Sequence, residues 1–172
     1  MNRHFKLALL LAGTAALGAC AKKAPEQLPP PPAEVAPTPA PTAPPPPSGP
    51  TVGSQAHFEN AVNGQNVIYF DTDRFNIDNA DAAALQTQAQ YLARYPQIAI
   101  TVEGHADERG TREYNLALGE RRANSAKNYL VSLGVSAGRI STVSYGKERP
   151  VALGSDEASW SQNRRAVSIV VN

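Results

Sequence analysis

The stretch VEGHADERGTREYNLALGERRANSAKNYL, Val102 to Leu130, reads as the end of a strand, a loop and a helix in succession. Just upstream, Ile98, Ile100 and Val102 alternate with Ala99, Thr101 and Glu103, the period of a half-buried strand that ends near Gly104. The loop HADERG follows. Thr111 is placed to cap a helix, Glu113 sits in the first turn where the dipole favours an acid, and Leu116, Gly119, Ala123, Ala126, Leu130 and Leu133 recur at helical spacing. At about 100° per residue, Arg122 falls on the flank of that stripe, level with Asn115, so its stem packs while its guanidinium reaches over the loop. Asp107 and Arg122 can therefore converge on one ligand.

A loop that leaves a strand and opens a helix also offers unpaired backbone N–H groups and the positive end of a dipole. Such a site suits a zwitterion. An ammonium and a carboxylate on one carbon would take the Asp107 carboxylate and a bidentate Arg122 fork respectively. The alternative is a structural ion pair that clips loop to helix. On the binding reading, Asp107→Ala and Arg122→Ala each weaken binding and leave folding intact.

Around this stretch, an amphipathic segment near Gln55 to Val62 precedes a strand Val67–Phe70 and the acidic turn Asp71-Thr72-Asp73. Asp78 has the place of an N-cap, Ala82, Leu85, Ala89 and Leu92 recur at helical spacing, and Pro96 lies just past the helix end. Gly134 suits the position after the second helix. A strand Ile140–Tyr145, a short helical stretch from about Glu157 to Gln162 and a last strand Ala166–Val171 complete the order. Alternating strands and helices that end in two strands imply a mixed sheet with helices on one face. Residues 54–172, 119 in number, suit one compact domain, and their 12 Lys or Arg against 13 Asp or Glu give no basic stripe for a nucleic acid. Trp160 and Tyr145 read as packing residues; Arg164 and Arg165 either fix the entry of the last strand or meet a partner.

Ahead of the domain, thirteen of the fifteen prolines lie between Ala24 and Pro50, so residues 21–53 read as a disordered linker. In polyproline II geometry this tether reaches on the order of 80–100 Å. Residues 1–19 carry Arg3 and Lys6, then an apolar run from Leu7 to Leu17, the pattern of a signal peptide too short to span a membrane. The sequence Leu17-Gly18-Ala19-Cys20, ending on the chain's one cysteine, resembles the bacterial lipobox. That resemblance implies three acyl chains on Cys20 and a permanent membrane anchor. Ala21 in place of aspartate implies sorting to the outer membrane, with the domain facing the periplasm.

Four ordered motifs, YFDTDRFNI (Tyr69–Ile77), VEGHADERGTREYNLALGERRA (Val102–Ala123), VSYGKERP (Val143–Pro150) and NRRAV (Asn163–Val167), resemble the OmpA-like peptidoglycan-binding domain. With no barrel or transmembrane helix, the chain is similar to the lipoprotein branch of that family. The resemblance implies an α+β fold, a βαβαββ sandwich, whose ligand is the peptidoglycan stem peptide, recognised chiefly at meso-diaminopimelate. It places Asp107 on the diaminopimelate ammonium and Arg122 on its carboxylate, with Asp73, Arg109 and Thr111 around the pocket and backbone groups near Asn115 and Leu116 assisting. Thr72 stands where relatives usually carry an apolar residue, so the wall beside Asp73 is expected to differ. The same branch implies partners among the Tol proteins, above all the periplasmic β-propeller TolB, and a role in holding the outer membrane to the wall and drawing it inward at division. A wall-binding lipoprotein that does not engage the Tol proteins shares every motif.

A wall hydrolase would share the compartment. Beyond the signal peptide, however, only His57 and His105 remain, and HExxH, GxSxG and a free cysteine are all missing. Asp71, Asp73, Glu103, Asp107 and Glu108 could supply paired carboxylates, but one would need a raised pKa, and Arg109 and Arg122 act the other way. The sequence thus implies binding without catalysis, cofactor or metal. His105 reads as a loop residue satisfied by hydrogen bonds.

Overall fold

In the computed structural model, residues 49–171 are described. The expected signal peptide, Cys20 and the tether as far as residue 48 lie outside them. The elements run α1 (Gln55–Ala61), β1 (Val67–Tyr69), α2 (Asn79–Arg94), β2 (Ala99–His105), α3 (Arg112–Ser132), a 3-10 turn (Ala137–Arg139), β3 (Ile140–Gly146), α4 (Glu157–Asn163) and β4 (Arg165–Val171). This is the expected βαβαββ order, with α1 ahead of it and α4 inserted before the last strand.

The four strands form one mixed sheet in the order β1-β4-β2-β3. Strand β3 runs parallel to β2, which the intervening α3 makes possible, while β4 is antiparallel to both β1 and β2. The period of two expected for Ile98 to Val102 is met: Ile98, Ile100 and Val102 are buried, and Ala99, Thr101 and Glu103 are half-buried on the opposite face. Ala166, Ser168 and Val170 of β4 point the same way as Ile100 and Val102, and with Leu85 and Leu92 of α2 and Ala123, Ala126 and Leu130 of α3 they enclose the core.

Helix ends follow from local chemistry. The Asp78 carboxylate accepts from Asp81 N at 2.8 Å, and Thr111 Oγ1 accepts from Tyr114 N at 3.2 Å, so both expected N-caps are formed. After α3, Gly134 takes φ +96°, a left-handed conformation that costs a residue with a Cβ. The carboxyl end of α2 is closed by Arg139, whose guanidinium donates to the carbonyls of Leu92, Tyr95 and Ile98. That contact had no local signal in the sequence.

Two expectations are corrected. The inward face of α3 is centred on Asn115, Gly119, Arg122, Ala123 and Ala126, so Leu118 is buried while Leu116 is half-buried. Leu133, which falls at the C-cap beyond the last turn, is 40% exposed. His105 is not a hydrogen-bonded loop residue: β2 continues past an irregularity at Gly104/His105 to pair with Gly146, and the imidazole is buried with neither ring nitrogen hydrogen-bonded, Nε2 lying 3.7 Å from Glu103 Oε2.

Helix α3 lies unusually close to β2 because two glycines meet there. A Cβ on Gly104 would overlap the carbonyl oxygen of Gly119, and one on Gly119 would collide with Ser144 Oγ and the Gly104 carbonyl. Gly104→Ala must therefore push strand and helix apart, and we expect a loss of about 3 kcal/mol, seen as a lower urea midpoint.

Burial, and then the charges of Arg165 and Arg149, lower the His105 pKa to about 4. Between that value and the unfolded value of about 6.5 the unfolded chain binds a proton that the folded chain does not, so stability rises with pH across this window and is lost on acidification. Denaturant titrations at pH 7 and pH 4.5 should show a drop to which His105 contributes roughly 2 kcal/mol. His105→Phe should flatten the difference.

Candidate functional site

The loop between β2 and α3 carries Asp107 and is held rigid from three sides. The Asn115 side chain, buried in the first turn of α3, donates to the carbonyls of Arg109 and Thr111 at 2.7 and 3.1 Å. Lys147 donates to the carbonyls of Glu108 and Gly110, and Ala106 N donates to Gly146 O at 2.8 Å. Gly110 supplies φ +87° at the bend into the helix.

Facing this loop is the turn between β1 and α2. Asp73 adopts φ +53°, uncommon for a residue with a side chain, and accepts from the Tyr114 hydroxyl at 3.1 Å. Between the two segments lies a cavity of about 260 Å³ lined by Thr72, Asp73, Asp107, Arg109, Gly110, Tyr114, Asn115 and Leu118. The site residues expected from sequence are thus divided. Asp73, Asp107, Arg109 and Asn115 line the cavity, whereas Thr111, Leu116 and Arg122 are not among its walls. Thr111 caps α3, and the Leu116 carbonyl accepts from Ser144 Oγ at 2.7 Å.

Arg122 is placed differently from expectation. Its guanidinium does not reach over the loop into solvent; the residue is 0% exposed. Nη1 donates to His105 O at 2.7 Å, Nε to Arg74 O at 2.9 Å and Nη2 to Asp71 O at 3.1 Å. The alternative of an Asp107–Arg122 ion pair is likewise not what forms: Arg122 clips the segments beside Thr72, Asp73 and Asp107 through their backbone. Burial, and then the charge of Arg164, lower its pKa to about 10, so it remains a cation at neutral pH.

The Asp107 carboxylate, 9% exposed, is instead engaged by other arginines. Oδ1 accepts from Arg109 N and Nε, both at 3.1 Å, and Oδ2 accepts from Arg109 Nη2 at 2.7 Å. Arg164 Nη1 lies 3.6 Å from Oδ2, beyond hydrogen-bond range but close enough to interact as a charge. Burial alone would push the Asp107 carboxyl up; the hydrogen bonds from Arg109 and the charges of Arg109 and Arg164 outweigh it and hold the group below the usual carboxylate range. It is an anion at neutral pH.

Helix α4 backs Arg109 from outside the cavity. The Arg109 guanidinium lies 4.2 Å from the centre of the Trp160 ring, and Trp160 Nε1 donates to Glu108 at 3.0 Å. Arg164 is buried, donating to Phe70 O at 2.9 Å and to Glu157 at 2.6 Å. Of the two options left open for Arg164 and Arg165, these bonds favour fixing the entry to β4, since Arg165 also donates to the carbonyls of Asn163 and Arg149. The sequence does not tie Trp160 to Arg109, because a short helix far along the chain gives no spacing signal. Thr72 lines the cavity and its hydroxyl accepts from Arg109 Nη2 at 3.3 Å. Among the described residues, no group of three or more His, Cys, Asp or Glu is placed to hold a metal ion.

Comparison with known proteins agrees with this architecture. Residues 69–164 match the OmpA family. A peptidoglycan-associated lipoprotein of Agrobacterium fabrum is 58% identical over 120 residues, covering 70% of this chain and 67% of its own length. The protein of the same name from Pasteurella multocida is 52% identical over 102 residues, 59% of this chain and 68% of its own. The crystal structure of the peptidoglycan-associated lipoprotein from Burkholderia pseudomallei is similar with a TM-score of 0.63 at 48% identity, over 66% of this chain and 96% of that one. The C-terminal domain of Helicobacter pylori MotB shares the fold at 20% identity, with a TM-score of 0.58 over 62% of this chain and 84% of that one. With the family match spanning more than half of the sequence and relatives this similar, the chain belongs to the OmpA family.

Proposed function

We propose that the domain binds peptidoglycan non-covalently by taking the free end of a meso-diaminopimelate stem peptide into the cavity between the β1–α2 turn and the β2–α3 loop. The observation that carries this reading is the Asp107 carboxylate on the cavity wall, held charged and already dressed with N–H donors as an ammonium would dress it. Asp73 adds a second carboxylate and Asn115 fixes the loop that presents Asp107. The names of the relatives, peptidoglycan-associated lipoproteins, point to the same ligand. A carboxylate whose pKa is held down by neighbouring arginines lacks the raised pKa that a general acid in glycoside cleavage needs, which favours binding over hydrolysis.

In the same reading, Cys20 carries the acyl anchor, residues 21–53 span from the outer membrane to the wall, and residues 54–172 form the wall-binding domain. The protein then ties outer membrane to wall and, through TolB and the other Tol proteins, supports membrane integrity and invagination at division. Cys20→Ser tests the anchor: the variant should leave the membrane fraction for the soluble periplasm.

Two substitutions separate recognition from scaffolding. Asp107→Asn should retain its circular dichroism spectrum and bind isolated sacculi ~10–100-fold more weakly, the loss of one charge-assisted hydrogen bond of roughly 1.5–3 kcal/mol. Full affinity in a folded Asp107→Asn protein would remove Asp107 from the site. For Arg122→Ala the structure changes the expectation drawn from sequence. Three backbone carbonyls, that of buried His105 among them, lose their donor, so a loss of about 3 kcal/mol of folding stability is expected in urea titration.

A further inference from the structure

Strand β3 is an outer strand of the sheet, hydrogen-bonded to β2 on one side only. The other outer strand, β1, has three residues and offers little to pair with, whereas β3 runs for seven, and its sequence ISTVSYG holds no charge and no proline. Outer strands are ordinarily kept short or carry lysine, proline or a bulge, because their unpaired N–H and C=O groups otherwise recruit another strand. The register of β3 with β2 is unbroken from Ile140 to Ser144, and the irregularity comes only beyond it, between Gly104 and His105. Five regular residues are thus open to pairing.

Helix α3 extends the same edge. Leu116, Glu120, Lys127 and Val131, spaced by four, seven and four residues, share one stripe of the helix at about 100° per residue, with Asn124 beside it. The stripe lies on the β3 side, since Thr142 Oγ1 donates to Asn124 Oδ1 at 3.3 Å and Ser144 Oγ donates to Leu116 O at 2.7 Å. Glu120 is exposed, Leu116 and Lys127 are half-buried, Val131 is 37% exposed, and none of the four belongs to the apolar core. Laid against its own reverse, the stripe sets Glu120 opposite Lys127 and Leu116 opposite Val131.

We propose that β3 pairs antiparallel with β3 of a second copy of this chain, about a two-fold axis near Thr142, to give a continuous eight-stranded sheet with the two α3 helices side by side. Helix α3 packs over both β2 and β3. With paired strands about 4.8 Å apart, the two helix axes then lie about 10 Å apart, the ordinary packing distance of helices. On the strands, Thr142 faces its own copy and Ser141 faces Val143, so no charge is buried there. On the helices, Glu120 of each copy meets Lys127 of the other and Leu116 meets Val131, and the symmetry makes each contact twice. An unrelated strand would satisfy the edge of β3 and leave the complementary stripe of α3 unmatched; a second copy satisfies both. The two cavities, at the carboxyl ends of β2, open at opposite ends of the joined sheet.

The test is sedimentation equilibrium of the full chain in density-matched detergent, with micelles in excess so that two chains do not share one by chance. The wild type should form a reversible dimer in the micromolar range. Glu120→Lys and Lys127→Glu each set like charges across the axis twice, and each alone should weaken the dimer ~10-fold. Combined in one chain, they restore opposite charges and should return the affinity to within ~3-fold of the wild type. Ser141→Lys, at an exposed position outside the core, should abolish pairing. All four variants should keep the circular dichroism spectrum of the wild type. A wild type that stays monomeric through this range would overturn the proposal and leave the edge to an unrelated strand. A dimer that the single substitutions do not weaken, or that the double substitution does not restore, would overturn this interface.

Discussion

A guanidinium enclosed in a protein must find acceptors for its protons, and the way Arg122 finds them organises the end of this domain that holds the cavity. It reaches back from α3 and donates to Asp71 O and Arg74 O on one segment and to His105 O on another. Those two segments meet nowhere along the sheet, since β1 pairs only with β4. One side chain therefore fixes the spacing between the β1–α2 turn and the start of the β2–α3 loop, and with it the width of the cavity. The contact is cation to carbonyl and not cation to carboxylate, so it holds the frame while leaving Asp107 and Asp73 available to the cavity. Their charges favour the cationic form of Arg122, and this offsets part of the cost of burying it.

The same end of the sheet gathers an unusual amount of positive charge. Arg109, Arg122 and Arg164 surround Asp107, while Arg149 and Arg165 act on His105 two residues earlier. Burial and positive field oppose one another at the carboxyl group and reinforce one another at the imidazole. Asp107 thus stays ionised despite its burial, and His105 stays neutral well below the ordinary histidine range. The neutral ring then packs as an aromatic, 5.6 Å from Tyr145, whose other neighbour is the Arg149 guanidinium at 3.6 Å. A histidine in the most conspicuous motif of the chain is accordingly a packing residue.

Periodicity made most of the fold readable. The alternation through Val102, the caps at Asp78 and Thr111 and the glycine after α3 are local features, and each is present in the structure. The strand order is not local, and it came through the resemblance of four motifs to a family. What sequence could not convey was where long side chains end. Spacing put Arg122 beside Asn115 on α3, which is correct, yet said nothing about whether its guanidinium faces water or three carbonyls 48 to 51 and 17 residues away along the chain. Spacing is silent for the same reason on the reach of Arg139 under α2 and on the contact of Trp160 with Arg109. Leu116 leaves the inward face because Gly119 brings the helix backbone onto the strand and turns that face toward it, and Leu133 because it falls at the C-cap beyond the last turn.

Rigidity is distributed unevenly around the cavity, and this has chemical meaning. Asn115, Lys147 and Gly110 immobilise the backbone of the loop, Arg122 immobilises the spacing, and Arg164 ties β4 to α4 beneath Asp107. The Arg109 guanidinium, held by the Asp107 carboxylate, lies in addition against an aromatic face and a hydroxyl. The Arg109–Asp107 pair balances the buried carboxylate on the cavity wall. Thr72 and Trp160 set how firmly Arg109 is held, and neither position takes part in the core.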